Sequence, residues 1–158
     1  MPRLQPLRPD HAPAVLAFEQ ANRAYFAAFI SDRGDAYFDE FGERFAELLA
    51  QREARGDAYY VLVDDDGSVL GRFNLYDIED GTAEIGYRVA ERAAGRGVAT
   101  AGVEELCRLA ASEHGVRRLR ARTTHENLAS QRVLAKAGFA AAGEADVAGR
   151  PGIWFERS

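Results

Sequence analysis

The stretch that decides the fold runs from residue 83 to residue 100 and reads AEIGYRVAERAAGRGVAT. Its first part alternates apolar side chains with polar or small ones, the apolar positions being Ala83, Ile85, Tyr87 and Val89. Such a period of two is typical of a β-strand with one buried face. The turn that follows contains Gly95 and Gly97, and helical periodicity begins after it. We therefore predict a strand, a glycine-rich turn and a helix in succession.

The glycine-rich turn has the composition of an anion site. Gly95 and Gly97 lack a Cβ, so the backbone can adopt positive φ and a ligand can approach it closely. Amide groups at the start of a helix have no intrahelical acceptor, and the helix dipole adds positive potential there. Thr100 can donate from its hydroxyl, and Arg92 and Arg96 can neutralise phosphate charge. Together these features predict a pyrophosphate site, although two glycines alone would also suit a plain connection between strand and helix.

Two other phosphate-binding motifs fit this segment less well. A P-loop ends in Gly-Lys-Ser/Thr, whereas the sequence after Gly97 is Val98-Ala99-Thr100. A dinucleotide fingerprint needs a third Gly or Ala three residues after the second glycine, and this chain has Thr100 there. That motif also requires an open parallel sheet, whereas hairpin turns precede this strand. A nucleotide-binding regulatory domain remains an alternative interpretation.

Working outward from this unit, the flanking segments predict a mixed sheet. Upstream, strand-like segments at 58–63 and 69–78 are joined by turn sequences that favour an antiparallel meander with residues 83–89. Downstream, an amphipathic helix that ends at Gly115 is followed by a strand at 116–123. A strand, helix and strand in this order predict parallel pairing through a right-handed crossover.

The ends of the chain complete the prediction. Asp10 is a plausible N-cap for a first helix, and a second helix from Phe38 ends at Gly56. Between them, residues 22–35 are less regular and end in a turn-rich loop at 31–35. The remaining elements are a strand at 3–8, a helix at 128–137 and strands at 139–147 and 153–156. The order β-α-α-β-β-β-α-β-α-β-β predicts an α+β (mixed α/β) fold. We expect one domain, 1–158, with a mixed six- to seven-stranded sheet and about four helices.

Composition and charge exclude several classes of protein. The single Cys107 excludes a disulfide framework and a multi-cysteine metal site, and we expect no metal. No apolar run approaches the roughly 18 residues of a membrane helix, and the N-terminus lacks the apolar stretch of a signal peptide. We therefore expect a cytoplasmic protein without a membrane partner. The net charge of −5 argues against a nucleic-acid partner.

Charge is distributed unequally along the chain. Residues 1–86 carry 17 acidic and 8 basic side chains, whereas residues 87–158 carry 8 acidic and 12 basic ones. This difference is consistent with an anionic ligand on the C-terminal half, and equally with a random scatter of solvated charges.

Three segments together resemble the GNAT superfamily of N-acetyltransferases, and most of all the branch that includes ribosomal-protein alanine N-acetyltransferases. They are residues 83–89, residues 95–100, and a third segment made of Asn127, Ser130, Leu134, Lys136, Ala137, Gly138 and Phe139. The resemblance implies a GNAT-like fold and an acetyl-CoA-dependent N-acetyltransferase that acts in a ternary complex. Its acceptor would be a primary amine, on a protein N-terminus or a small molecule, and the protein would be a monomer or homodimer.

The resemblance also implies a place for acetyl-CoA, between the strands at 83–89 and 117–123 where they separate. Main-chain groups of Tyr87 and Val89 would pair with the pantetheine arm, and amides of the glycine-rich turn would hold the pyrophosphate. The implied cofactor-binding residues are Tyr87, Arg88, Val89, Gly95, Arg96, Gly97, Val98, Ala99, Thr100 and Asn127.

The family's phosphate motif, Gln or Arg, two residues, Gly, one residue, then Gly or Ala, fits the turn in two registers. Arg92, Gly95 and Gly97 match its letters. Ala94, Gly97 and Ala99 match its distance from the preceding strand. We prefer the second register, in which Ala94 stands where the family usually has Gln or Arg.

Two residues are implied as catalytic. Glu84 matches strand positions where relatives place their general base, and Ser130 matches the proposed proton donor to the leaving thiolate. Many family members instead use a Tyr seven residues after the Asn, and this chain has Leu134 there. Glu84 can equally be an exposed strand residue, and Ser130 a first-turn residue satisfied by the backbone. The missing Tyr keeps a non-catalytic acyl-CoA-binding module as an alternative.

The resemblance places the acceptor pocket around the first two helices, their loop and the final strands. Aromatic rings beside carboxylates would suit an ammonium group or a peptide N-terminus, although the rings can equally belong to the core and the charges to solvent. The residues concerned are Tyr25, Phe26, Asp32, Arg33, Asp35 and Tyr37.

Overall fold

A computed structural model describes residues 2–158 and contains seven strands and six α-helices in that range. The strands are β1 (Arg3–Pro6), β2 (Ala58–Val63), β3 (Val69–Glu79), β4 (Thr82–Val89), β5 (Arg118–Thr124), β6 (Ala140–Val147) and β7 (Arg150–Arg157). The helices are α1 (Ala12–Ala21), α2 (Arg23–Ala27), α3 (Asp35–Asp39), α4 (Phe41–Arg55), α5 (Val98–His114) and α6 (Leu128–Lys136). Two 3-10 turns, Pro9–His11 and Glu91–Ala93, precede α1 and α5.

The strands form one mixed sheet in the order β1-β2-β3-β4-β5-β7-β6. Neighbouring strands are antiparallel except β4 and β5, which are parallel and joined through α5. The predicted meander, crossover and mixed sheet are therefore confirmed. The parallel pair in the middle of the sheet is the element that creates the site described below.

Strands β4 and β5 pair over only three positions. The register runs from Thr82 opposite Arg118 to Glu84 opposite Arg120 and stops there. On its other edge β5 remains paired with β7 as far as Thr124. The C-terminal half of β4 therefore has one edge whose peptide groups face a gap rather than a strand.

Each face of the sheet packs against its own hydrophobic cluster. One cluster, beneath α5 and α6, includes Phe73, Leu106 and Leu134, and the other, beneath α1 and α4, includes Val15 and Phe45. Burial of each such side chain stabilises the fold by roughly 1.5–3 kcal/mol. These two clusters hold the helices that carry the site against opposite faces of the sheet.

One glycine sets how closely α5 approaches the sheet. A Cβ at Gly102 would overlap the ring of Phe73, which is fully buried in β3. Only glycine allows this approach. The same close packing fixes the position of the turn before α5.

The N-terminal region differs from the prediction. Residues 22–30, whose pattern is less regular, contain α2, and the turn-rich loop leads into α3 at Asp35. The predicted second helix from Phe38 is divided at Glu40 between α3 and α4, so six helices replace the expected four. Helices α2 and α3 have five residues each, too short to show periodicity, and depend on tertiary packing such as that of Phe26. Asp10 lies inside a 3-10 turn and pairs with Arg8 instead of capping α1, whose N-cap is His11.

Two further properties concern the chain as a whole. Within residues 2–158 no helix is long and apolar enough to cross a membrane. The same residues contain no group of three or more His, Cys, Asp or Glu side chains that could hold a metal ion. Cys107, on the buried face of α5, is a free thiol.

Candidate active site

A cavity of about 330 Å³ opens where β4 and β5 separate, and we call it the main cavity. Four parts of the chain form its wall: α2 and the residues after it, the end of β4, the glycine-rich turn, and one face of α6. The lining residues are Tyr25, Phe26, Phe29, Ile30, Tyr87, Arg88, Val89, Ala93, Ala94, Gly95, Gly97, Ala99, Thr100, Asn127, Ala129, Ser130, Arg132, Val133 and Lys136.

The glycine-rich turn leaves its backbone open to this cavity. Gly95 and Gly97 have φ of +75° and +76°, and a Cβ at either position would meet nothing within 4 Å. Gly97 is the N-cap of α5. The amide of Ala101 is the first to bond back, to the carbonyl of Gly97 at 3.0 Å, so three preceding helical amides lack an intrahelical acceptor. The turn therefore presents the donors that an anionic group needs.

The two arginines of the turn do not face the main cavity. Arg92 donates from Nη2 to the hydroxyl of Ser68 at 2.8 Å and faces Asp64 at 3.6 Å. Arg96 donates to the carbonyl of Arg92 at 2.6 Å. Both side chains are bonded to protein groups. Their positions therefore do not favour the expected neutralisation of phosphate charge.

Two cations that the sequence analysis missed do line the cavity. Arg132 and Lys136 lie four residues apart on α6 and line the same cavity as Ser130. The sequence could have predicted this, because residues four apart share a helix face and both follow Asn127 on the same helix. Ala94 also lines the cavity, in agreement with the second register of the phosphate motif.

Of the predicted cofactor-binding residues, eight line the main cavity and two do not. Arg96 bonds to the turn itself, and the side chain of Val98 packs against the core beneath α5. The eight that line it are Tyr87, Arg88, Val89, Gly95, Gly97, Ala99, Thr100 and Asn127.

A pair of hydroxyl groups lies in the wall of the cavity. The Oγ of Ser130 is 2.9 Å from the Oη of Tyr87. The Asn127 side chain caps α6 by accepting from the Ser130 amide at 3.1 Å, which fixes the backbone of Ser130. The ring of Tyr87 stacks on Phe73 with a centroid distance of 5.9 Å. Burial raises the pKa of Tyr87 to about 12, so its phenol stays protonated at neutral pH.

Glu84 lies elsewhere. Its carboxylate accepts from the Nε of Arg122 at 3.1 Å and lines a second, open cavity of about 550 Å³, together with Tyr76 and Asp77. Alternation along β4 puts Glu84 on the opposite face from Tyr87. The structure therefore brings Ser130 to the main cavity and places Glu84 across the sheet from it, at the last position of β4 that pairs with β5.

A buried cluster of charges adjoins the main cavity on the α1 side. Glu19, only 1% exposed, accepts from Arg33 at 3.0 and 3.1 Å, from Arg72 at 2.8 Å and from Arg88 at 3.1 Å. Arg72 also donates to the hydroxyl of Tyr37 at 3.3 Å. Burial acts to raise the pKa of Glu19, but the three guanidinium groups outweigh it, and the pKa falls below its usual value. Burial, and repulsion from Arg33, lower the pKa of Arg88 to about 10.

Neither Glu19 nor Arg72 was predicted as a site residue. The available signal was a carboxylate directly after Phe18 on the apolar face of α1, where a lone charge would be costly. The arginine on β3 that faces it gives no such signal, because strand arginines are commonly solvated.

The predicted acceptor residues divide into three groups, of which the first, Arg33 and Tyr37, belongs to the buried cluster around Glu19. Tyr25 and Phe26 line the main cavity. Asp32 and Asp35 both accept from Arg23 at 2.8 Å, so their carboxylates are paired with protein rather than directed at an ammonium group. Hydrogen bonding from Arg23 lowers the pKa of Asp32 to about 2.

Comparison with known proteins agrees with this architecture. Residues 3–140 match the family model described as the acetyltransferase (GNAT) domain. The chain is 31% identical over 142 residues to the probable N-acetyltransferase YjcK of Bacillus subtilis (strain 168), covering 86% of this chain and 78% of that protein.

Several solved structures share the fold, among them the following two. The ribosomal-protein-S5-alanine acetyltransferase of Vibrio fischeri superimposes with a TM-score of 0.87 at 20% identity, over 98% of this chain and 91% of that one. RimJ of Mycobacterium smegmatis, in complex with CoA-disulfide, superimposes with a TM-score of 0.84 at 24% identity, over 98% of this chain and 80% of that one. With its split parallel strands, its amide-lined turn and this family match, the chain belongs to the GNAT acetyltransferase family.

Proposed function

We propose that this protein transfers the acetyl group of acetyl-CoA to a primary amine by direct attack in a ternary complex. The amine is that of a protein N-terminus or of a small molecule. The observation that carries the proposal is the main cavity, which joins an amide-lined turn to a pair of hydroxyl groups at the split between β4 and β5. Family membership and the relative named as a probable N-acetyltransferase support it.

The residues present fit a coenzyme A thioester. The open amides of the glycine-rich turn suit a pyrophosphate, and Arg132 and Lys136 add positive charge along the same cavity. The unpaired edge of β4 at Tyr87 and Val89 can bond to an extended amide chain as an added strand would. The donor supplies a thioester carbonyl for attack and a thiol as leaving group.

The chain's own groups account for stabilisation and proton transfer. A main-chain amide near Val89 can donate to the oxygen that gains negative charge as the amine attacks. The hydroxyl of Ser130 can donate a proton to the departing sulfur, with Tyr87 supplying the next hydrogen bond at 2.9 Å. Because the pKa of Tyr87 is raised to about 12, this pair keeps its protons across the physiological range.

Glu84 is our proposed base for removing a proton from the amine. It lies on the same face of β4 as Arg88, at the position where β4 and β5 part, and an open cavity of about 550 Å³ gives it access to solvent. Glu84 and Ser130 would then act from opposite sides of the sheet, one on the amine and one on the thiolate.

Two measurements test the proposal. Calorimetry with acetyl-CoA reports donor binding, and a thiol-release assay with a panel of primary amines, corrected for hydrolysis without amine, reports transfer. We expect both binding and amine-dependent release. Binding without release from any amine would favour the non-catalytic acyl-CoA-binding module. Displacement of acetyl-CoA by NAD or ATP would favour the nucleotide-binding regulatory domain.

A further inference from the structure

The buried cluster around Glu19 holds more positive charge than the chain neutralises. One carboxylate contacts three guanidinium groups, those of Arg33, Arg72 and Arg88, whose side chains are 30%, 7% and 20% exposed. The cluster therefore carries a formal excess of two positive charges. A buried charge without a partner is costly, so this arrangement favours the arrival of an anion.

The neighbouring acidic groups remove only part of the excess. Asp32 and Asp35 share the single guanidinium of Arg23, so these three groups carry a net charge of −1 and still leave one positive charge in the neighbourhood. Tyr37 contacts Arg72 through its hydroxyl and Arg33 through its ring, with the guanidinium carbon 4.6 Å from the ring centroid. Within residues 2–158, Glu19 is the only carboxylate paired with the three arginines of the cluster.

Arg88 connects this cluster to the main cavity. It lines that cavity and also a smaller pocket that Glu19, Arg33 and Phe26 share. In the described part of the chain its hydrogen bonds to protein use only Nη1, and its guanidinium carbon lies 4.8 Å from the centroid of the Phe26 ring. The remaining donors of Arg88 are therefore available to a ligand.

The face of the sheet on which Arg88 lies indicates which of the two substrates, the thioester or the acceptor, would carry the anion. Strand alternation directs Tyr87 and Val89 toward the cluster beneath α5, whereas Arg88 contacts α1 on the opposite face. The phosphate groups of a coenzyme A thioester have their own donors at the glycine-rich turn and on α6. An anion at Arg88 would thus belong to the acceptor, and Arg88, which the family resemblance implied as a cofactor-binding residue, is assigned here to the acceptor instead.

We propose that Arg88, assisted by Arg33, binds a carboxylate of the acceptor, so that the preferred acceptor is a primary amine with a carboxylate a few bonds away. This chemistry is shared by free amino acids and by peptides with an acidic residue after the N-terminus. The inference rests on the proposed acetyl transfer and narrows its acceptor. Arg88 is then a specificity-determining residue.

Matched acceptors test the inference. The peptides Ala-Asp-Gly-amide and Ala-Asn-Gly-amide differ in one carboxylate while their α-amines remain alike, and 4-aminobutanoate and its amide form the small-molecule pair. We expect the acidic member of one pair to have a kcat/KM at least about tenfold higher, the scale of one charged hydrogen bond. The pair that shows the preference identifies the source of the carboxylate.

Variants then assign the preference to Arg88. In Arg88→Gln the acidic and neutral acceptors should react at nearly equal rates, mainly through a raised KM for the acidic one, while the calorimetric affinity for acetyl-CoA stays unchanged. Arg33→Gln should show a smaller loss. Arg44→Gln, which removes an exposed partner of Glu40 on α4, is the matched control and should keep the full preference. Melting temperatures confirm that each variant folds.

Three results would overturn the inference. They are equal rates with acidic and neutral acceptors in the unaltered protein, a preference that survives Arg88→Gln, and an effect of Arg88→Gln on acetyl-CoA alone. If no amine supports thiol release, the proposed function fails separately. Calorimetry of the Ala-Asp peptide with the CoA-loaded protein then decides the inference, since binding that Arg88→Gln abolishes supports it and no binding refutes it.

Discussion

The hydroxyl oxygen of Tyr87 lies 2.9 Å from that of Ser130 and links β4 to α6 in the wall of the main cavity. Strand and helix meet here because Asn127 caps α6 and the ring of Tyr87 stacks on Phe73. In the proposed mechanism this pair supplies the proton donor, in a chain that has Leu134 seven residues after Asn127. Leu134 is itself only 1% exposed and belongs to the core.

Removing the Ser130 hydroxyl should slow transfer without weakening donor binding. We expect Ser130→Ala to lower kcat by about tenfold to a hundredfold, at or below the usual contribution of a general acid. Steady-state thiol release measures kcat, and calorimetry measures acetyl-CoA affinity. Ser112→Ala, at an exposed serine of α5, is the matched control. An unchanged kcat in Ser130→Ala would remove this hydroxyl from the mechanism.

A side chain at Gly97 should close the pyrophosphate site. Gly97→Ala places a methyl group beside the open amides, and losing one charged hydrogen bond would weaken CoA binding by at least about tenfold. Gly149→Ala is the control, since Gly149 also has positive φ, +84°, with nothing within 4 Å of its Cβ position. Both variants carry similar backbone strain, so only Gly97→Ala should change the affinity for CoA measured by calorimetry. Equal affinities would contradict the site.

Arg132 and Lys136 should strengthen the binding of acetyl-CoA through their positive charge. Partly exposed ion pairs are worth up to about 1 kcal/mol, so we expect Arg132→Gln and Lys136→Gln each to raise the KM for acetyl-CoA by roughly two- to fivefold. The effect should shrink at high salt because mobile ions screen such pairs. Activity with S-acetylpantetheine, which lacks the phosphates, should not change. Arg108→Gln, at an exposed arginine of α5, serves as control.

Glu84→Gln tests the proposed base through its pH profile. At low pH most acceptor amines are protonated, so loss of a proton acceptor should lower kcat most there and least at high pH, where the amine is already neutral. The profile of Glu79→Gln, an exposed residue of β3, should match that of the unaltered protein. A profile for Glu84→Gln that is merely scaled down at every pH would argue for a structural role in the ion pair with Arg122.

The Glu19 cluster should dominate the acid sensitivity of the fold. The pKa of Glu19 is lower in the folded protein than the ordinary 4.5. The stabilising effect of its ionised carboxylate is therefore complete above pH 4.5 and is lost as the pH falls through the folded-state pKa. Glu19→Gln leaves Arg72 buried without a charged partner and should lower the free energy of unfolding by about 3–5 kcal/mol. Glu40→Gln, which breaks the exposed pair with Arg44, should cost less than about 1 kcal/mol. Urea unfolding at several pH values measures both.

The sequence by itself determined the elements whose cause is local. Alternation over 83–89, the glycines before α5 and Gly56 and Gly115 after their helices act through backbone geometry within a few residues, and the structure has the predicted element in each case. The chain order of strands and helices then restricted the topology through the handedness of the crossover.

Tertiary structure decided what depends on residues far apart in the chain. The five-residue helices α2 and α3 exist through packing rather than periodicity. The sequence of the glycine-rich turn does not fix the direction of the Arg92 side chain. Its contacts with Ser68 and Asp64, in the turn between β2 and β3, decide it. Glu19 and Arg88 are 69 residues apart and meet only when α1 packs against the sheet. Contacts of this kind are set by where whole elements pack, and no spacing along the chain encodes them.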